Sequence, residues 1–405
     1  MSLAETIAAL GSGPLTEDVL RAHIFPLFSH TIARPGIYLA NHSLGRPLNQ
    51  TRDDVRECIE LWQSHLGDAW DGWIAEHHAH RSRLAQLIGA PRPDCIIPKT
   101  SAGQGLRTVL NALPGIPRVL STDCEFDSVD VILKQYAAVG RIKLELVPIH
   151  SKGRLDLSRL FDKVSKKIDL VVVSQVLFAT GELLPNLNEL AAQCHKRGAR
   201  LLVDAYHAIG ALPVDVAAMG ADFMIGGSYK YLHGGPGACF LYLSPDALNS
   251  GLRPLDMGWF AKEQPFRFER SDPLRFAAGG DAFLESTPAV LSWYQARAGQ
   301  QFTLGLGVAR LREYSLDRLR RLKGYLAAQG VEAQGADDAH GAFLTVEHPS
   351  APALADALHA HNILTDARDR WLRLCPDCLT LDGALADTAG TLAAVLRSSE
   401  RGRAS

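Results

Sequence analysis

The side chain best placed for chemistry is Lys230, in Gly226-Gly227-Ser228-Tyr229-Lys230-Tyr231-Leu232-His233-Gly234-Gly235-Pro236-Gly237. Apolar runs flank this stretch, Phe223-Met224-Ile225 before it and Cys239-Phe240-Leu241-Tyr242-Leu243 after it, and both read as buried strands. Lysine is rarely buried without a partner, and burial lowers its pKa toward the neutral amine. A neutral amine in a confined pocket is what Schiff-base chemistry with a carbonyl requires. The competing reading is a lysine that tops an edge strand and reaches out to water.

Asp204 is the second such residue. It ends the short apolar run Leu201-Leu202-Val203 and opens Asp204-Ala205-Tyr206-His207. Ligands of open α/β sheets gather at the carboxyl ends of strands. A carboxylate there can keep a pyridine nitrogen protonated and make the ring an electron sink. The alternative for Asp204 is a plain helix cap. Thr100-Ser101-Ala102-Gly103 follows another strand and opens a helix, where free N–H groups and two hydroxyls make a phosphate cradle or a simple cap. Phe126 could stack on a flat ring or belong to the core. Arg373 could hold a carboxylate through both arms of its guanidinium or lie at the surface.

The elements that must position these residues follow from the apolar pattern. Strands at Cys95-Ile96-Ile97, Arg118-Val119-Leu120, Lys143–Val147, Leu170–Ser174, Leu201, Phe223 and Cys239 alternate with helices. That alternation predicts a mostly parallel sheet of about seven strands between helices, an α/β fold. A long helical region is expected from Pro288 to about Gln329, then a smaller α+β module with a strand at Ala342–Val346. The expected division is an arm over residues 1–50, a large α/β domain over 51–290, and a linking helix with the small module over 291–405. Net charge is −2, so no electrostatic footprint for nucleic acid or an anionic membrane is expected. No apolar run is long enough to span a bilayer and no signal peptide is apparent, which points to a cytoplasmic protein acting on a small molecule. The seven cysteines read mostly as buried thiols, and Cys375-Pro376-Asp377-Cys378 lacks the second ligand pair that a zinc site needs, so no metal is expected.

With these residues assembled, the chain resembles the fold-type I pyridoxal phosphate enzymes of the class V aminotransferase group, and within it the kynureninases. The resemblance covers nearly the whole chain. It rests on Tyr38-Leu39 with Ser43-Leu44-Gly45, Gly72-Trp73-Ile74, Leu87-Ile88-Gly89-Ala90 and Thr100-Ser101. It continues through Asp204-Ala205-Tyr206-His207-Ala208-Ile209-Gly210, Tyr229-Lys230-Tyr231-Leu232, Gly234-Gly235-Pro236-Gly237-Ala238, Gly258-Trp259-Phe260 and Pro265-Phe266.

The resemblance implies pyridoxal 5′-phosphate as cofactor, with Lys230 as the Schiff-base lysine and Asp204 on the ring nitrogen. It implies that Phe126 stacks on the ring, that Thr100, Ser101, Tyr229 and Trp259 contact the phosphate, and that Ala102 and Thr287 also bind the cofactor. His207 would support Asp204, and Arg373 would take the substrate α-carboxylate. A homodimer with shared active sites is also implied. The departures fall on the substrate's side: His42, beside Ser43, replaces an asparagine, His233 another, and Lys262 a histidine; Asp71, Val129, Gln175 and Phe178 also differ from the family pattern. The expected activity is kynureninase-like hydrolytic cleavage of a Cβ–Cγ bond, with transamination, epimerisation or another lyase reaction on a different amino acid as the alternative.

Overall fold

A computed structural model describes residues 3–151 and 154–404, apart from the side chains of 399–404. Seven strands form the central sheet: β1 (Ile96–Lys99), β2 (Arg118–Thr122), β3 (Lys143–Val147), β4 (Leu170–Ser174), β5 (Arg200–Asp204), β6 (Phe223–Gly227) and β7 (Cys239–Leu243). Their spatial order is β1-β7-β6-β5-β4-β2-β3. β7 runs antiparallel to both its neighbours, and the other pairings are parallel. β4, β6 and β7 are buried at every residue. Helices cover both faces of such a sheet, so its strands read as continuous apolar runs rather than as alternation. All seven expected strands are present.

The helices that matter to the site are α1 (Gln50–His65), α2 (Ala69–Ile88), α3 (Ala102–Ala112), α4 (Asp127–Ala138) and α5 (Leu187–Arg197). The long helical region is two helices, α6 (Val290–Leu306) and α7 (Val308–Ala328). Gly307 separates them at φ +83, a conformation that interrupts the helical hydrogen bonds and that glycine adopts without a Cβ penalty.

Leu319, Leu322 and Leu326 of α7 join a second apolar cluster with α8 (Ala351–Ala360) and α9 (Asp382–Ala404). Its sheet has β8 (Leu344–Glu347), β9 (Asp366–Arg368) and β10 (Trp371–Leu374), in the order β8-β10-β9. Ile37–Tyr38 of the N-terminal segment pairs in parallel with Ile363–Leu364, which ties that segment to the small module. A third cluster packs Leu20, Ile24 and Phe28 against Phe302 of α6.

Candidate active site

The carboxyl ends of β1, β2, β4, β5 and β6 lie along one edge of the sheet, where β7 begins; Cys239 pairs with Lys99 on one side and Gly227 on the other. At that edge is a cavity of about 400 Å³, with Thr100, Ser101, Ala102, Phe126, Asp204, His207, Tyr229 and Lys230 on its wall. Eight of the expected cofactor positions thus converge from loops up to 130 residues apart.

Lys230 is 5 % exposed, and burial drives its pKa down to about 7, with the nearby Asp204 carboxylate opposing the shift and Arg373 adding to it. Its Nζ is 2.8 Å from His207 Nε2 and sits 5.5 to 5.6 Å from the ring centroids of Phe126, Tyr206 and Tyr229. His207 is itself neutral, because burial and then the Lys230 charge hold its pKa well below the usual imidazole value. His207 Nε2 thus meets the lysine amine, while its Nδ1 has no hydrogen-bond partner among the described residues.

Asp204 ends β5, and burial raises its pKa. The Tyr206 backbone N–H donates to its Oδ1 at 2.9 Å, which leaves Oδ2 without a hydrogen-bond donor among the described residues. A buried carboxylate with one oxygen open to a cavity suits a cationic N–H donor, as a pyridinium provides. At the other end, Ser101 caps α3 by accepting from the Gln104 N–H at 3.1 Å, and the first-turn N–H groups have no intrahelical acceptor. Gly103 lines the same cradle, where a Cβ would come within 2.9 Å of Ile132. These features fit pyridoxal 5′-phosphate, with its ring nitrogen at Asp204 and its phosphate at α3.

Arg373 is buried to 2 % exposure in β10. Its Nε and Nη2 donate to Asp366 at 2.8 and 2.6 Å, and its Nη1 donates to the Phe178 carbonyl at 2.6 Å. His42 donates from Nε2 to the same carboxylate at 2.6 Å, and the Ser43 hydroxyl donates to its other oxygen. His42 and Ser43 thus face Asp366 rather than the cavity wall.

Seven expected positions lie off the cavity wall: Arg373, His42 and Ser43, which meet at Asp366, and Trp259, Thr287, His233 and Lys262. Trp259 donates from Nε1 to Thr287 Oγ1 at 3.2 Å, beside a second, smaller cavity of about 140 Å³ that shares only Thr100 with the first. The loop after β7 folds Trp259, Phe260 and Phe266 onto Trp70 of α2, which holds them there. His233 has φ +54, which turns its ring between Phe28 and Phe302, while its Nδ1 donates to the Arg46 carbonyl at 2.9 Å. Lys262 donates to the Glu269 backbone carbonyl.

Two residues escaped the sequence reading. Arg107 lines the cavity one helical turn after Gly103, a spacing that places both on one face of α3. Glu125 is fully buried beneath the site; it accepts from the Thr122 and Ser174 hydroxyls at 2.6 Å each, and burial raises its pKa to about 7. Its signal is its place directly before Phe126, at the end of β2.

The class-V aminotransferase family matches residues 63–365, and the chain belongs to that family. Among curated relatives, a kynureninase of Bacillus cereus is 28% identical over 370 residues, spanning 85% of this chain and 84% of its own length. An uncharacterized aminotransferase, YcbU, of Bacillus subtilis (strain 168) is 26% identical over 357 residues, covering 87% of this chain and 91% of its own. Among solved structures, a C-DES variant with glycine covalently linked to its PLP cofactor superposes with a TM-score of 0.82 at 21% identity, over 91% of this chain and 98% of that one. The apo cysteine desulfurase of Thermococcus onnurineus gives 0.79 at 19% identity, over 93% and 98%. The chain thus shares the fold of fold-type I pyridoxal phosphate enzymes, with its own sheet mostly parallel and seven-stranded.

Proposed function

We propose that this class V enzyme binds pyridoxal 5′-phosphate at Lys230 and acts on an α-amino acid in the manner of a kynureninase. The reaction would be hydrolytic cleavage of the substrate's Cβ–Cγ bond, giving an anthranilate-type product and alanine. The observation that carries the reading is a buried, readily neutral amine sharing one cavity with a carboxylate whose Oδ2 is open. Similarity to a kynureninase over most of both chains supports the finer activity.

The cofactor, when bound, supplies an electron sink for the bond pair released at the substrate α-carbon. The chain's residues do the rest. Lys230 Nζ, uncharged above pH about 7, takes the proton from the substrate Cα and can return one. His207 fixes that amine. Asp204 would hold the cofactor's ring nitrogen, Phe126 would pack against its ring, and the first turn of α3 would hold its phosphate. Arg373 takes the substrate carboxylate.

The test is incubation with kynurenine and with 3-hydroxykynurenine while anthranilate-type fluorescence is followed. Product fluorescence is expected; its absence, together with visible-band shifts on adding another amino acid, rejects the kynureninase assignment. A second reading, transamination or epimerisation of a different amino acid, draws support from the relative named as an aminotransferase and from His42, His233 and Lys262, which are bound to other groups. Persulfide chemistry is disfavoured, since no cysteine lies between Cys239 and Cys375, and both of these are buried.

A further inference from the structure

Arg373 is the carboxylate anchor of the proposed reaction, and the role of Asp366 rests on that assignment. Its planar guanidinium carries five N–H groups in a fixed fork. Two of them meet Asp366 and one meets the Phe178 carbonyl, all at 2.8 Å or less. Each terminal nitrogen keeps one more N–H. Ser43 Oγ is 3.5 Å from Nη2, at the far limit of a hydrogen bond. One edge of the fork is therefore closed by Asp366; beyond these bonds Nη1 keeps one further N–H, and the second N–H of Nη2 is directed to Ser43.

Asp366 does not resemble a displaceable stand-in for a ligand. It accepts from His42, Ser43 and both near nitrogens of Arg373. Burial alone would raise its pKa, but the hydrogen bonds from His42 and Arg373 outweigh that and hold it well below the carboxylate range. Asp366 and Arg373 are direct partners in the β9–β10 ladder, so their side chains share one face of the small sheet. The carboxylate thus joins the N-terminal segment, the small sheet and, through Arg373, the segment at Phe178 after β4.

We propose that Asp366 is the positioning residue of the carboxylate anchor: it closes one edge of Arg373 and so leaves the other for an incoming α-carboxylate. The competing role, an internal carboxylate that blocks the arginine, makes the opposite prediction for affinity.

The test uses the cofactor-loaded enzyme and two amines that differ by a carboxylate, L-alanine and ethylamine, with dissociation constants read from the visible absorption change. In Asp366→Asn, L-alanine is expected to bind about tenfold more weakly or worse, while ethylamine shifts by about twofold at most. Asp366→Glu should recover part of the loss, and Ser43→Ala should give a smaller loss in the same direction. L-alanine binding to Asp366→Asn as tightly as to the wild type, or more tightly, overturns the proposal. Should Asp366→Asn fail to fold, an unchanged L-alanine constant in Ser43→Ala overturns it instead. Arg373→Gln separates the two claims. If it keeps the preference for L-alanine over ethylamine, the anchor assignment fails and the role of Asp366 with it; if it loses the preference while Asp366→Asn does not, only the role of Asp366 fails.

Discussion

At Lys230 the cost of burying a charge outweighs the attraction of Asp204, and the amine is held near pH 7 rather than at its ordinary 10.5. The consequence in rate is direct: reloading of apoprotein with pyridoxal phosphate should speed up as pH rises through about 7, with stopped-flow absorbance as the readout. The consequence in stability has a definite sign. Between about 7 and 10.5 the unfolded chain holds a proton on this lysine that the native state lacks, so native stability rises with pH across that window. Thermal midpoints of the apoprotein should climb from pH 7 to 10 more steeply than those of Lys230→Met. For the opposing carboxyl, Asp204→Asn should lower turnover on the order of 10²-fold or more, since a charge-assisted bond aimed at the ring is lost. A turnover within about threefold of wild type would remove Asp204 from that role. Lys230, Asp204, Phe126 and Thr100 were legible because each ends a strand, lies within three residues past one, or opens a helix, where local sequence fixes its direction. His207, His233 and Lys262 were not, because their partners (Lys230, Arg46 and Glu269) are set by how separate loops fold together.

Among the elements, β6 has to bring its end close to Tyr206. A Cβ on Gly227 would run into the Tyr206 hydroxyl and come within 2.5 Å of the ring carbon that bears it, and that hydroxyl is itself hydrogen-bonded to Cys239 Sγ at 2.6 Å. Gly227→Ala should therefore destabilise the protein by about 1–3 kcal/mol through overpacking, measured as a shift in the denaturant midpoint. An unchanged midpoint would mean that the contact yields freely. The seven strands of the large sheet were readable because burial on both faces leaves runs of branched apolar residues. β9 and β10 were not: Asp366-Ala367-Arg368 and Trp371-Leu372-Arg373-Leu374 carry charges on one face, and of their residues Ala367, Leu372 and Leu374 pack on the small core. The same charges make the anchor.

At the scale of the whole molecule, we propose the division into an arm, a large domain and a small domain that the sequence suggested, and a homodimer with shared sites. No described helix is long and apolar enough to cross a membrane. Trp259 and Thr287 lie off their own chain's Lys230 cavity, where a second copy could use them. α1 leaves Ile59 and Trp62 on one exposed face, Trp62 at 60 %, an apolar surface that a second copy would cover. Light scattering at micromolar concentration should give twice the chain mass for the wild type and a shift toward monomer for Trp62→Asp; a monomeric wild type refutes the shared site. Every step of the chemistry depends on one lysine, so the most direct measurement is borohydride reduction of the yellow protein followed by peptide mass spectrometry. A phosphopyridoxyl adduct on the peptide containing Lys230 is predicted; an adduct on another lysine, or none at all, would contradict it.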